Sequence, residues 1–227
     1  MTDSELKQII KDYPFIESEI ARLSPRRKIL YHAKQWGIGA EVGVFRGHFA
    51  EVLIEVLTPT KIYLIDPWTK LGEYFHWKGG AKPYTSFDQL PTRIAKREAE
   101  LRTGRFSGVE VKFLEGYFLE EMDKIEEKLD WIYIDGNHGY TQVLADLHAS
   151  ASLLKPDGVI IGDDWRPNPE GKHHGVFRAV QEFTRMTNYQ IVAAGHAGQY
   201  CLAPAPVYSA APSKGSPENA KKLKDAI

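Results

Sequence analysis

Residues 38–66 read IGAEVGVFRGHFAEVLIEVLTPTKIYLID. The runs GAEVG (39–43) and IYLID (62–66) are short, apolar and stopped by Gly or Asp, as buried strands are. Between them Ala50, Leu53, Ile54 and Leu57 recur at helical spacing, which gives that stretch one apolar face. A strand, a helix and a second buried strand in succession predict parallel pairing with the helix packed on the sheet.

The alternation extends outward in the C-terminal direction. VEVKFLEG (109–116), WIYIDG (131–136) and GVIIGDD (158–164) read as further strands. Val143, Leu144, Leu147 and Ala151, then Val176, Ala179, Val180, Phe183 and Met186, read as helices. YQIVAAG and GQYCLAP form a terminal hairpin joined through Gly195-His196-Ala197-Gly198. The expectation is an α/β fold with a mostly parallel, doubly wound sheet of seven strands, helices on both faces and a C-terminal antiparallel hairpin. Residues 1–36 read as a helical segment, a lid or an oligomer contact, broken at Pro14 and again near Ser24-Pro25. Ser24 is expected to cap, and Pro25 to open, a helix running to about Gln35. Residues 70–91 are aromatic, contain glycines and have no period, and read as a loop or lid. Residues 37–203 form the expected main domain, and 204–227, rich in Ala, Pro, Ser and Lys, a loosely ordered tail.

Composition narrows the partners. The 227 residues carry a formal net charge of -1, and no basic stripe with interleaved aromatics occurs, so no nucleic-acid partner is expected. No apolar run approaches the roughly 20 residues that cross a bilayer, and MTDSELKQIIKDYPF lacks a signal-peptide core. Cys201 is the single cysteine, which excludes an intramolecular disulfide. A soluble cytoplasmic protein with no membrane partner is the reading.

The glycine loop carries the first chemistry. Glu41-Val42-Gly43-Val44-Phe45-Arg46-Gly47 joins strand to helix, where glycines let backbone approach a ligand and the helix offers free N–H groups. A dinucleotide site favours GxGxxG, whereas this loop is GxxxG. An acid two residues before the first glycine suits a ligand with a cationic amino group. Asp66, 23 residues beyond Gly43, stands where a carboxylate accepts ribose hydroxyls. Tight strand–helix packing alone also accounts for GxxxG.

AEVGVFRG, IYLIDPW, WIYIDGNHGY and LLKPDGVIIGDDW resemble the successive motifs of class I S-adenosylmethionine-dependent methyltransferases, over roughly residues 38–203. They look most like the metal-dependent macrolide-sugar O-methyltransferase branch. The resemblance implies a Rossmann-like fold in which Glu41 faces the methionine amino group, Gly43, Phe45 and Gly47 pass beneath the methionine, and Asp66 holds the ribose. It places Trp68, Gly116 and Tyr117 near the adenine, with Asp135 closing the pocket; Trp68 reads equally well as a core aromatic.

A second acidic group ends later strands. Neighbouring strands lie about 4.8 Å apart, so Asp135, Asp163 and Asp164 should gather at one C-terminal edge. Three carboxylates so close need a proton or a cation between them, and oxygen-only ligation suits Mg²⁺ or Ca²⁺. The resembled branch uses a divalent metal here. His138, three residues after Asp135, is the candidate general base for a hydroxyl acceptor. His173, His174, Trp165 and the lid residue Trp77 are candidate acceptor-pocket residues. The reading is Mg²⁺-dependent O-methylation of a small molecule such as a sugar or glycoside. Metal-independent N- or O-methylation, or a nucleotide-binding module without catalysis, are the alternatives. The N-terminal helices are a candidate homo-oligomer contact.

Overall fold

A computed structural model describes residues 2–76 and 82–206. Seven strands form one sheet: β1 (Ile38–Val42), β2 (Lys61–Asp66), β3 (Glu110–Glu115), β4 (Leu129–Ile134), β5 (Leu154–Gly162), β6 (Tyr189–Ala194) and β7 (Tyr200–Pro204). Their order is β3-β2-β1-β4-β5-β7-β6, and β7 runs antiparallel to both of its neighbours. This is the expected Rossmann-like architecture with its terminal hairpin. The order reverses direction between β1 and β4, and the crevice at such a switch point is where open α/β sheets bind ligands.

The strands are apolar on both sides because both faces are covered. In β4, Trp131 and Tyr133 join Phe49, Leu53, Leu64 and Trp68 on one face. Ile132 and Ile134 join Val143, Leu147, Val176 and Phe183 on the other. The first face is covered by α3 (His48–Leu57), α4 (Thr92–Thr103) and the N-terminal segment; the second by α5 (Phe118–Glu121), α6 (Tyr140–Leu153) and α7 (His174–Met186).

Helix α4, TRIAKREAELRT, carries no apolar period, and the apolar pattern gives no sign of it. Its buried residues are mostly small or charged, Ala95, Ala99 and the ion pair Glu98–Arg102 (2.6 Å), with Leu101 the one large apolar side chain among them. Charge pairing buries Glu98 and Arg102, so a hydrophobic pattern does not show.

The N-terminal segment corrects one expectation. α1 (Thr2–Asp12) is followed by α2 (Glu17–Arg26), which runs through Ser24-Pro25 rather than ending there. Proline removes a backbone donor, and the chain tightens just beyond it into a 3-10 helix, Arg27–His32. Arg26, drawn into the protein at the end of α2, outweighs the local Ser-Pro signal. α1 spends its apolar face within its own chain, where Leu6 and Ile9 pack with Leu101 and Glu5 pairs with Arg97 (2.7 Å).

Within 70–91, Phe75 and Leu90 are fully buried and Pro83–Thr85 form a short 3-10 helix, so these flanks are packed. Trp77 and residues 207–227, most of the expected tail, lie outside the described residues. Among the described residues no helix is long and apolar enough to cross a membrane.

Candidate active site

The glycine loop leaves β1 at Val42 and enters α3 at His48. Gly43 has φ 91°, and a Cβ there would overlap the carbonyl of Asp135 just beyond β4. Gly47 has φ 77°, and its Cβ would stand 2.7 Å from the Cα of Ala99 on α4. Both glycines therefore serve close packing and left-handed backbone together, so the tight-packing account of GxxxG describes part of what they do.

Asp66 braces that loop. Phe45, itself at φ 54°, donates its N–H to Asp66 Oδ2 (2.9 Å), and the Trp68 N–H donates to Oδ1 (2.9 Å). Burial pushes the Asp66 carboxyl up to about 6, while the backbone donors act the other way. Trp68 is placed as a core residue: it is 0% exposed, its ring packs on Phe113, and its indole N–H donates to the Phe45 carbonyl (2.7 Å). It stands behind the loop with no face of its ring open, as the core-aromatic alternative expects. Gly116 N–H donates to the Asp66 carbonyl (3.0 Å), and Tyr117 is half exposed at the same strand edge.

Glu41 is the most unusual group of the loop. It is 1% exposed, and its Oε2 is buried without a hydrogen-bond partner. Burial, then the charges of Asp135 and Asp66, hold its carboxyl well above the ordinary range.

The second acidic group assembles as the strand order dictates. β4 and β5 pair with Ile134 opposite Gly162, so Asp135 and Asp163-Asp164 leave the sheet side by side. One carboxylate oxygen from each of the three lies within 4.8 Å of the others. Sequence reasoning missed the cation between them. Arg26, 8% exposed at the end of α2, pairs with Asp135 Oδ2 (3.3 Å) and with Asp163 Oδ2, while Arg22 stands 3.8 Å from the latter. Asp163 Oδ1 is left buried and unpartnered. Burial and Asp135 push Asp163 up against the pull of Arg26. No motif marks Arg26; its only signal is a basic residue at the end of a helix.

His138 Nε2 lies 2.8 Å from Asp164 Oδ2 and 3.8 Å from Asp135 Oδ1, in ion-pair contact without hydrogen-bond alignment. Burial lowers its pKa, but Asp135 and Asp164 more than restore it, to about 9. Burial also opposes ionisation of Asp164, yet His138, then His173 and Arg166, hold it down at about 2. The ring of His173 sits 4.1 Å from that of His138. His174 is occupied elsewhere: its Nδ1 contacts the Arg166 carbonyl (2.9 Å), and its ring stacks on Phe177. Trp165 is wedged, half-buried, beside Phe177 and Tyr200.

Arg46 is a second residue that sequence reasoning passed over. Fully buried within the glycine loop, it pairs with Glu98 (2.6 Å), lies over the Phe15 ring, and donates to the carbonyls of Tyr13 (2.5 Å) and Tyr84 (3.4 Å). It ties the N-terminal segment and the 82–88 stretch to the loop.

Residues 40–165 match the family model described as methyltransferase domain, and the chain belongs to that family. With its seven-stranded order, this makes it a class I S-adenosylmethionine-dependent methyltransferase. No curated protein matches it. Solved structures share the fold at low identity. The O-methyltransferase NovP is 17% identical with a TM-score of 0.53, over 83% of this chain and 79% of that one. An O-methyltransferase of Bacillus cereus is 17% identical with a TM-score of 0.51, over 89% and 91%. A ribosomal protein L11 methylase of Lactobacillus delbrueckii subsp. bulgaricus is 16% identical with a TM-score of 0.52, over 85% and 81%. Such likeness shows the fold, which O-methyltransferases and a ribosomal protein methylase share alike, and leaves the acceptor to the chemistry of the site.

Proposed function

We propose that this enzyme transfers the methyl group of S-adenosylmethionine to a hydroxyl of a small acceptor such as a sugar or glycoside, with Mg²⁺ held by Asp135, Asp163 and Asp164. The observation that carries the cofactor reading is Glu41: a buried carboxylate oxygen without a partner, beside the glycine loop, fits a ligand that brings a cationic amino group. S-adenosylmethionine, when bound, supplies an electrophilic methyl on a sulfonium. Gly43 and Gly47 let the loop backbone pass beneath it, and Asp66 receives the ribose hydroxyls on lone pairs not used by Phe45 and Trp68. Gly116 and Tyr117 border the adenine, and Asp135 closes the pocket. The solved Bacillus cereus relative carries S-adenosylhomocysteine, which supports the reading.

The donor set for the metal is oxygen-only, which suits Mg²⁺. Arg26 engages the Oδ2 atoms of Asp135 and Asp163 and leaves Asp163 Oδ1 free to ligate. Mg²⁺, when bound, would supply the Lewis acidity that lowers the pKa of an acceptor hydroxyl, and His138 is the group placed to take the hydroxyl proton. With a pKa of about 9 it is already protonated at neutral pH. It becomes a base when further positive charge balances Asp135 and Asp164, so its function and metal binding are linked. The main domain is residues 37–203, with the N-terminal helices as a lid.

Two experiments test the reading. Glu41→Gln relieves the buried charge, so the free protein should melt higher at pH 8 while S-adenosylmethionine binds at least about tenfold more weakly by calorimetry. Unchanged affinity rejects the role of Glu41. For the metal, methyl transfer to a vicinal-diol acceptor should stop in chelator and return with Mg²⁺. Asp164→Ala should abolish turnover while cofactor binding survives. Undiminished turnover in chelator sinks the metal claim. It favours a second reading, which the Arg26 contacts support: metal-independent transfer to oxygen or nitrogen, with Arg26 as the standing cation of the cluster.

A further inference from the structure

Asp164 belongs to two groups of possible metal ligands. One is the carboxylate set with Asp135 and Asp163; the other joins it to His138 and His173, again with all three ligand atoms within 4.8 Å of one another. The two sets differ in chemistry. The first offers only oxygens, and Arg26 already engages two of its three members. The second offers two imidazole nitrogens and one carboxylate, a combination that suits Zn²⁺, Ni²⁺ or Co²⁺ rather than Mg²⁺.

The local geometry favours the second set. His138 Nε2 is buried with no aligned hydrogen bond, although Asp164 Oδ2 lies only 2.8 Å away. Around a tetrahedral ion with bonds near 2.0–2.1 Å, neighbouring ligand atoms stand about 3.3 Å apart, so this pair needs little movement. Arg166 engages the other oxygen of Asp164, Oδ1 (3.3 Å). His173 precedes α7 at φ 65°, a left-handed conformation that histidine adopts at some cost, and this turn brings its ring against that of His138. His174, the neighbouring imidazole, is engaged by Arg166 and Phe177 and stands apart from the set.

We propose that His138, Asp164 and His173 form a binding site for a borderline transition-metal ion, distinct in donor set from the carboxylate cluster and overlapping it at Asp164. An ion there displaces the proton of His138 and takes its lone pair. Resting on the function proposed above, it follows that Zn²⁺ or Ni²⁺ inhibits methyl transfer while Mg²⁺ supports it.

The test uses full-length, tag-free protein and Co²⁺ as a spectroscopic probe. Wild type should bind one Co²⁺ per chain with visible d–d bands, and Zn²⁺ should displace it. His173→Asn is the informative variant, because asparagine tolerates the left-handed backbone and lacks the imidazole. It should bind Co²⁺ at least about tenfold more weakly, with an unchanged circular dichroism spectrum. Asp163→Asn should retain Co²⁺ binding. The proposal is overturned if wild type shows no Co²⁺ bands at millimolar metal, if His173→Asn binds as wild type does, or if Asp163→Asn alone loses the ion. Retained Co²⁺ behaviour with Mg²⁺-independent turnover would instead remove the Mg²⁺ reading and leave this site standing.

Discussion

Arg26→Met is expected to lower the melting temperature at pH 8 by roughly 10 °C. Removing one partner of a buried ion pair costs about 3–5 kcal/mol, because the other partner stays buried and charged; for a chain of this size each kcal/mol is worth about 2–4 °C. Here two carboxylates, Asp135 and Asp163, lose their nearest cation, and a methionine keeps most of the volume. The pH dependence follows from Asp163. Its pKa is raised from the ordinary carboxylate range to about 7, so in the folded state it carries a proton that the unfolded chain releases near pH 4. Its ionisation therefore destabilises the fold progressively between about pH 4 and 7. Without Arg26 that penalty grows and extends upward. Wild type and variant should thus converge near pH 5 and diverge at pH 8, as thermal melts across that range will show. Equal differences at both pH values would mean that Arg26 acts by packing alone. Because Arg26 anchors α2, hydrogen exchange in residues 17–26 should also accelerate in the variant.

Gly43→Ala is expected to abolish cofactor binding at accessible concentrations and to destabilise the fold by about 2–4 kcal/mol. Two costs add at this position. The backbone at φ 91° is strained for any side chain, and the new methyl overlaps the carbonyl of Asp135, a rigid backbone atom that cannot rotate away. Relief requires β1 and the exit of β4 to separate, which displaces Glu41 and Asp135 together. Calorimetry with S-adenosylhomocysteine and a denaturant melt measure the two effects. Retention of wild-type affinity would show that the loop and the acid strand end are not coupled through this contact. Gly47→Ala meets Ala99 of α4 instead, and should disturb helix packing more than the acid cluster.

Much of this architecture was legible from local pattern. The strands ending at Val42, Asp66, Ile134 and Gly162 are continuous apolar runs because both sheet faces are covered, and their terminal acids reach one edge because parallel strands share a direction. Asp135, Asp163, Asp164 and His138 could be grouped on that ground. Helix α4 escaped because its buried residues are mostly alanines, threonines and an ion pair, with a single buried leucine. The Ser-Pro pair misled because a local capping preference of about 1 kcal/mol competes with burial of a paired arginine.

What the sequence by itself determined is the order of the strands along the chain and of helices α3, α6 and α7, and with it the edge at which the glycine loop and the acids meet; these follow from short-range periodicity along the chain. What only the tertiary structure decided is the charge balance at that edge. Arg26 meets Asp135 and Asp163 across separations of 109 and 137 residues. Trp68 turns into the core, and Asp66 accepts one backbone N–H of the loop and one of its own turn. Ion pairs and core packing join residues by distance in space, and no period or spacing along the chain encodes that distance.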